Sequence, residues 1–203
     1  MRIPPLPLAS HDQVYPPGED SRLLAASMPE VTGPCADVGT GSGFLACAMA
    51  GSGGEVLATD VNPHALRLAR ENAAAHGVPV AVVRADLLRG VRRRFRHIAF
   101  NPPYVRGGRG EAWIERAWAD DGTAARFLRE APAWLLPGGE VHLVLAATDA
   151  ASMAVIDRAY EVLARTSRRL FFEELLAYRL RPRDELRDAL GGVAVPEADP
   201  LRP

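Results

Sequence analysis

Cys35-Ala36-Asp37-Val38-Gly39-Thr40-Gly41-Ser42-Gly43 is a short apolar run that carries one carboxylate and ends in three alternating glycines. It reads as a strand, Cys35 to Val38, entering a tight turn. Glycine allows a sharp turn and lets the backbone come close to a ligand. Residues 43–50, rich in Ala and Leu, read as the helix that follows. The spacing Gly39-x-Gly41-x-Gly43 differs from the dinucleotide pattern G-x-G-x-x-G, and the loop lacks the Lys-Ser/Thr ending of a phosphate-binding loop. Taken alone, such a loop marks only a strand-to-helix turn.

The same alternation continues outward from this stretch. Glu55 to Asp60 predicts a second strand. Asn62-Pro63 opens a helix to about His76, with Asn62 as cap, Pro63 in the first turn and Gly77 at the end. Val80 to Asp86 and His97 to Phe100 read as the third and fourth strands. A loop runs to about residue 121, followed by a helix from Thr123 to Leu135. Pro137-Gly138-Gly139 turns the chain into a strand, Glu140 to Ala146. A helix at about 149–164 and strands near 168–173 and 175–181 complete the pattern. On the N-terminal side, residues 20–28 read as a helix capped by Asp20 or Ser21. Strands alternating with helices predict an α/β, Rossmann-like doubly wound fold: a seven-stranded, mostly parallel sheet with helices on both faces. Residues 1–19 are expected to form a Pro-rich arm, 20–181 the catalytic domain and 182–203 a loosely attached tail.

Composition narrows the class. A chain of 203 residues has room for one sizeable domain, and 48% hydrophobic with 24% charged residues is ordinary for a globular protein. A formal net charge of -1 gives no global basic field for bulk nucleic-acid binding. All 24 basic residues are arginine, which fits the codon usage of a GC-rich genome. Cys35 and Cys47 fall in apolar patterns and read as buried thiols rather than a disulfide framework. The start lacks the apolar core of a signal peptide, and no apolar stretch reaches about 18 residues. These features predict a cytoplasmic protein. The histidines at 11, 64, 76, 97 and 142 show no metal-ligand spacing with the cysteines, so no metal is expected.

Asp37, Asp60, Asp86 and Asn101 each fall at a predicted strand end, where ligands of such sheets bind. Asp60 can accept both hydroxyls of a ribose. Asp86 can accept an adenine amino group, with the Leu87 backbone N–H serving the ring nitrogens. Asp37 can pair with the ammonium of an amino acid. A nucleoside bearing an amino-acid tail is S-adenosyl-L-methionine (SAM), with S-adenosyl-L-homocysteine as product. Asn101-Pro102-Pro103-Tyr104 follows the fourth strand. Its prolines fix the backbone and remove two donors. The Asn101 side-chain oxygen and the Pro102 carbonyl then match the two N–H groups of an –NH2, and Tyr104 offers a flat face to a planar group. Positioning of that nitrogen, and favour for the positive charge it develops, are the expected catalytic contributions.

Tyr15-Pro16-Pro17-Gly18-Glu19-Asp20-Ser21, Asp37 to Gly43, Thr59-Asp60-Val61-Asn62-Pro63 and Asn101-Pro102-Pro103-Tyr104-Val105 together resemble the HemK-type protein-glutamine N5-methyltransferases, closest to their short eukaryotic and archaeal branch. The resemblance spans about residues 14–181. It implies SAM contacts at Ser21, Asp37, Gly39, Gly41, Gly43, Asp60, Asp86, Leu87 and Asn101. It implies acceptor-amide binding at Asn101, Pro102, Pro103, Tyr104 and Val105, with Asn101, Pro102 and Tyr104 catalytic. It also implies a peptide chain release factor as substrate and a small activating subunit as partner. Ser21 stands where the family has Thr, Asp37 where it often has Glu, and Gly18 where it has Ala. Residues 112–122 match the family's Gly-rich stretch less regularly.

Two other readings stay open: N-methylation of an adenine or guanine amino group in RNA or DNA, and an inactive SAM-fold binding subunit. The cluster Arg89, Arg92, Arg93, Arg94, Arg96 reads either as a patch for RNA or an acidic partner or as a solvated connection. Trp113 and Trp118 line the substrate groove or anchor their loop. Phe171-Phe172 and Leu175-Leu176 are expected in core strands.

Overall fold

The computed structural model describes residues 8–103, 112–116, 122–171 and 173–183. Seven strands form one sheet: β1 (Gly33–Val38), β2 (Gly54–Asp60), β3 (Val80–Arg84), β4 (Phe95–Phe100), β5 (Leu135–Ala146), β6 (Tyr160–Arg169) and β7 (Glu174–Pro182). Their order is β3-β2-β1-β4-β5-β7-β6. The first five in that order run parallel, and β7 is antiparallel to both β5 and β6. The expected seven-stranded, mostly parallel sheet is present.

Helices α1 (Glu19–Ser27), α2 (Phe44–Gly51), α3 (Pro63–Ala75), α4 (Trp113–Arg116), α5 (Thr123–Glu130) and α6 (Ala150–Ala159) complete the chain. Strand side chains alternate between the two faces. Val144, Leu175 and Ala177 pack with Leu24, Phe44 and Met49 of α1 and α2. Ile98, Leu143 and Leu145 pack with Phe127, Leu128 and Ile156 of α5 and α6. Each fully buried side chain of this size stabilises the fold by about 1.5–3 kcal/mol. The chain leaves β1 toward β2 and leaves β4 toward β5, so strand order reverses between β1 and β4. Val38 pairs with Phe100 across that reversal. The two strands therefore end level, and a crevice opens between the segments that follow them.

Several local expectations change. The cap position of α1 is Gly18, with no side-chain cap hydrogen bond, so Asp20 and Ser21 lie inside the first turn. β3 ends at Arg84, which leaves Asp86 beyond the strand. The helix expected to Leu135 stops at Glu130 and tightens into a 3-10 turn at Ala131–Trp134, because Pro132 supplies no N–H. The Pro137-Gly138-Gly139 turn is an irregularity within β5, marked by a register shift against β4. The helix expected to 164 ends at Ala159; from Tyr160 the chain pairs with β7 along its whole length. Leu175 and Leu176 are buried as expected, whereas Phe171 is fully exposed between β6 and β7. Phe172, residues 104–111, residues 117–121 and residues 184–203 of the expected tail lie outside the described residues. Cys35 and Cys47 are buried free thiols, and burial pushes both up to about 11. Among the described residues, no helix is long and apolar enough to cross a membrane.

The N-terminal arm is docked through two asparagines of the α3 region. The backbone N–H of Ala9 donates to Asn72 Oδ1 at 2.8 Å, and Asn62 Nδ2 donates to the Gln13 carbonyl at 2.8 Å. Asn72 Nδ2 also donates to the Ser42 carbonyl at 2.8 Å, tying arm, glycine loop and helix together.

Gly43 caps α2 at φ +80°, and a Cβ there would meet Ala69 Cα at 2.9 Å. Gly77 has a similar φ of +64° but open space around it. Gly43→Ala is expected to cost about 2–4 kcal/mol by strain and overpacking, and Gly77→Ala only about 1 kcal/mol. Denaturant midpoints measure both; equal losses would show that the close approach of α2 to α3 carries no weight.

Candidate functional site

The glycine loop leaves β1 and is pinned at several points. The Thr40 N–H donates to the Thr59 carbonyl on β2 at 2.9 Å. Gly39 and Gly41 take φ of +61° and +54°, a left-handed backbone that favours glycine. Asp37 is buried, and its Oδ2 accepts from Thr40 Oγ1 at 2.6 Å and from the Ala46 N–H at 3.0 Å. Its Oδ1 is buried and accepts no hydrogen bond within the described residues. Burial pushes the Asp37 carboxyl up to about 7, against the pull of those two hydrogen bonds, with the Asp60 charge adding to the rise. A buried, half-satisfied carboxylate is a receptor for a cation with N–H donors.

Asp60 closes β2. Its Oδ2 accepts from the Gly41 N–H at 3.0 Å and its Oδ1 from the Asn62 N–H at 2.9 Å. Each oxygen keeps a further lone pair. Burial raises its pKa, opposed by these backbone donors. Leu87 follows at φ +53°, the non-glycine residue with positive φ among those described. An apolar side chain in that conformation is costly, which marks a turn held for another purpose. Thr59 Oγ1 donates to the Leu87 carbonyl at 2.9 Å and holds the turn against β2.

Asp86 meets a partner that no sequence pattern signalled. Arg126 of α5 grips it through Nη1 at 2.7 Å and Nη2 at 2.6 Å. Arg89 Nη1 lies 3.3 Å from the same carboxylate. The Arg126 hydrogen bonds hold the Asp86 carboxyl below its usual range. An adenine amino group at Asp86 therefore has to share that carboxylate with a guanidinium.

Asn101 follows β4 across the crevice. Its Nδ2 donates to Asp20 Oδ2 at 3.0 Å and contacts Ser21 Oγ at 3.1 Å. A carboxylate accepts and does not donate, so the amide nitrogen must face Asp20 and the oxygen must face away. That oxygen, Asn101 Oδ1, is buried and accepts no hydrogen bond within the described residues. Asp20 is itself braced by the Ser21 N–H at 2.6 Å and the Tyr15 hydroxyl at 3.3 Å. Ser21 thus stands against Asn101. A Cβ at Gly18 would lie 2.5 Å from Tyr15 Oη and 2.8 Å from Asp20 Oδ1, so an alanine there requires these side-chain ends to shift. Pro102 and Pro103 continue from Asn101, while Tyr104 and Val105 lie outside the described residues.

Asp37, the glycine loop, Asp60 and Leu87 thus surround one side of the crevice, and Asn101 with Asp20 the other. The methyltransferase small domain model matches residues 10–169. The chain belongs to that family. It is 33% identical over 153 residues to a Methanocaldococcus jannaschii relative provisionally named protein N5-glutamine methyltransferase MJ0928, covering 71% of this chain and 78% of the relative. It is 39% identical over 137 residues to a Deinococcus radiodurans release factor glutamine methyltransferase, covering 58% of this chain but only 47% of that protein. The crystal structure of ribosomal protein L11 methylase from Lactobacillus delbrueckii subsp. bulgaricus shares the fold, with a TM-score of 0.64 at 21% identity over 80% of this chain and 76% of that one. This methyltransferase accordingly belongs to the class I fold, and its family implies SAM as the methyl donor. The orphaned Asp37 oxygen and the spare lone pairs of Asp60 fit such a molecule.

The remaining candidates of the sequence are less concentrated. Arg89 pairs with Glu130 and Asp86, and Arg93 with Glu55, so these two are engaged in surface ion pairs. Trp113 opens α4 and is half-buried; Trp118 lies outside the described residues.

The Asp37 carboxyl sits above its ordinary value of 3.8 in the folded state. Its contribution to stability is therefore present below about pH 4 and lost as pH rises to about 7. Asp37→Asn is expected to remove that decline and to exceed the parent in stability at about pH 8 by on the order of a few kcal/mol. Urea midpoints across the range measure it; curves that stay parallel would contradict the raised carboxyl.

Proposed function

We propose that this methyltransferase transfers a methyl group to the side-chain amide nitrogen of a glutamine in a peptide chain release factor. The observation that carries this is Asn101 Oδ1, a buried acceptor without a hydrogen bond among the described residues, while Asp20 holds the other end of the same amide. With the Pro102 carbonyl beside it, the site offers two acceptors at a rigid spacing to a primary amide. Accepting both N–H groups fixes the plane of the amide and so presents one face of its nitrogen to the donor. The acceptors also favour the positive charge that grows on that nitrogen. Protons leave after transfer, so no strong base is needed. In this reading Tyr104 and Val105 belong to the residues that bind the acceptor amide.

Bound SAM supplies the methyl on a sulfonium sulfur and departs as S-adenosyl-L-homocysteine. Asp37 would take its ammonium, Asp60 its ribose hydroxyls, and Asp86 with Leu87 its adenine. Gly39, Gly41 and Gly43 give the backbone room, and Ser21 closes the pocket through Asn101. Residues 20–181 serve as the catalytic domain, 1–19 as a Pro-rich arm and 182–203 as a tail. A translation substrate places the protein in the cytoplasm. The names of the two relatives, one of them a release factor enzyme, support glutamine over a nucleobase.

The deciding assay offers labelled SAM with release factor and, separately, with RNA and DNA. Label on the glutamine amide is expected; label on nucleic acid alone would replace the substrate, and no SAM binding with no label would remove the enzyme reading. The chain alone, then with a small activating subunit, reports whether that partner is needed. Asn101→Ala is expected to lower kcat by on the order of 100-fold or more while SAM still binds. Asp20→Asn should lower kcat on the order of 100-fold through a misplaced Asn101, with little change in SAM affinity. Asp60→Ala should weaken SAM binding about 10- to 100-fold. Near-normal turnover by Asn101→Ala would contradict the two-acceptor mechanism.

A further inference from the structure

The sheet carries a second cluster of polar side chains, well away from the crevice and independent of the reading above. Glu140 and His142 are alternate residues of β5 and so share a face. His97 on β4 is the register partner of Glu140. All three are buried, at 9% exposure for His97, 5% for Glu140 and 1% for His142. They lie on the face that elsewhere holds Ala99, Val144 and Ala177, an apolar layer where three polar groups are costly unless they serve a purpose.

Their ligand atoms converge. His97 Nδ1 lies 3.1 Å from His142 Nε2. Glu140 Oε2 lies 4.0 Å from each of those nitrogens. Bonds of about 2.0–2.1 Å to a tetrahedral ion place neighbouring ligand atoms about 3.3 Å apart. The imidazoles already stand near that spacing, and the carboxylate oxygen reaches it by moving less than about 1 Å. Arg179 of β7 donates through Nε to Glu140 Oε2 at 2.6 Å and through Nη2 to Oε1 at 2.9 Å; Arg181 adds a contact to Oε1 at 3.4 Å. Such a fork orients a ligating carboxylate from outside, as outer partners of metal ligands do. The histidines escape a search along the sequence because 45 residues separate them; only the β4–β5 register joins them.

We propose that His97, Glu140 and His142 form a binding site for one borderline divalent cation of the zinc type, which pins β4 to β5. The arginines beside the carboxylate weigh against a hard ion that depends on oxygen charge. Two imidazoles favour zinc, cobalt or nickel. Three protein ligands leave one position for water. His97 precedes Asn101 by four residues on one strand, about 13 Å, so the ion braces the strand that carries the acceptor motif without touching it.

Zinc titrated by calorimetry into the full chain, after dialysis against a chelator, is expected to fill one site and raise Tm. Cobalt in its place is expected to give the visible absorption of tetrahedral nitrogen and oxygen ligation. His97→Leu and His142→Leu should abolish both responses, while the far-ultraviolet dichroism of the metal-free variants matches that of the parent. If either variant fails to fold, imidazole nitrogen resonances of the parent decide. Zinc should then shift His97 and His142 and leave His11 and His64, a surface pair with rings 4.6 Å apart, in place. No stoichiometric uptake, uptake unchanged in a folded His97→Leu, or shifts confined to His11 and His64 overturns the site.

Discussion

One hydrogen bond organises the reactive side of this molecule: Asn101 Nδ2 to Asp20, joining residues 81 apart in the chain. An asparagine amide has two ends of similar shape and opposite hydrogen-bonding character. A carboxylate distinguishes them, because it takes only the donor end. The acceptor end is thereby turned away from Asp20 and left without a hydrogen bond among the described residues. Gly18 leaves room for it, since a Cβ there would press on the Tyr15 hydroxyl that braces Asp20. The arrangement depends also on the register of β1 with β4, which brings the two strand ends level. Preorganised acceptors of this kind need no rearrangement as charge develops on the nitrogen.

The donor side follows a different logic. Asp37 is a buried carboxylate and Asp60 a half-buried one, and their hydrogen bonds come chiefly from the loop and helix around them. Each retains unused acceptor capacity. The protein thus carries desolvated negative charge that a cationic, hydroxyl-bearing ligand would relieve. Asp86 is the exception, because Arg126 already grips it with two short hydrogen bonds. That clamp links α5 to the turn after β3, so any further donor at Asp86 has to share its carboxylate with a guanidinium.

Much of this was readable in the residues. The period of strands and helices gave way to glycine, proline and acidic punctuation at nearly every strand end, so a mostly parallel sheet with a ligand rim at its strand ends followed from general rules of α/β folds. The Asn101 motif and the carboxylates after β1 and β2 were legible because their chemistry lies close together in sequence. What escaped detection depends on contacts between distant elements. Asp20 reads as a helix cap until β4 is placed beside it. Arg126 gains its partner only when α5 lies over Asp86. The run from Tyr160 to Ala164 continues a helical pattern, yet pairing with β7 outweighs its propensity. His97 and His142 become neighbours only through the β4–β5 ladder.

β6 forms one rim of the sheet, and most of its side chains face solvent. An open rim of backbone donors and acceptors invites another strand to add to it. Here the outer half of the strand is Arg165-Thr166-Ser167-Arg168-Arg169, and Arg168 reaches across to an ion pair with Glu19 of α1. Two copies approaching rim to rim would set guanidinium against guanidinium. In a chain without a single lysine, arginine has taken over the task of keeping an exposed ladder from growing.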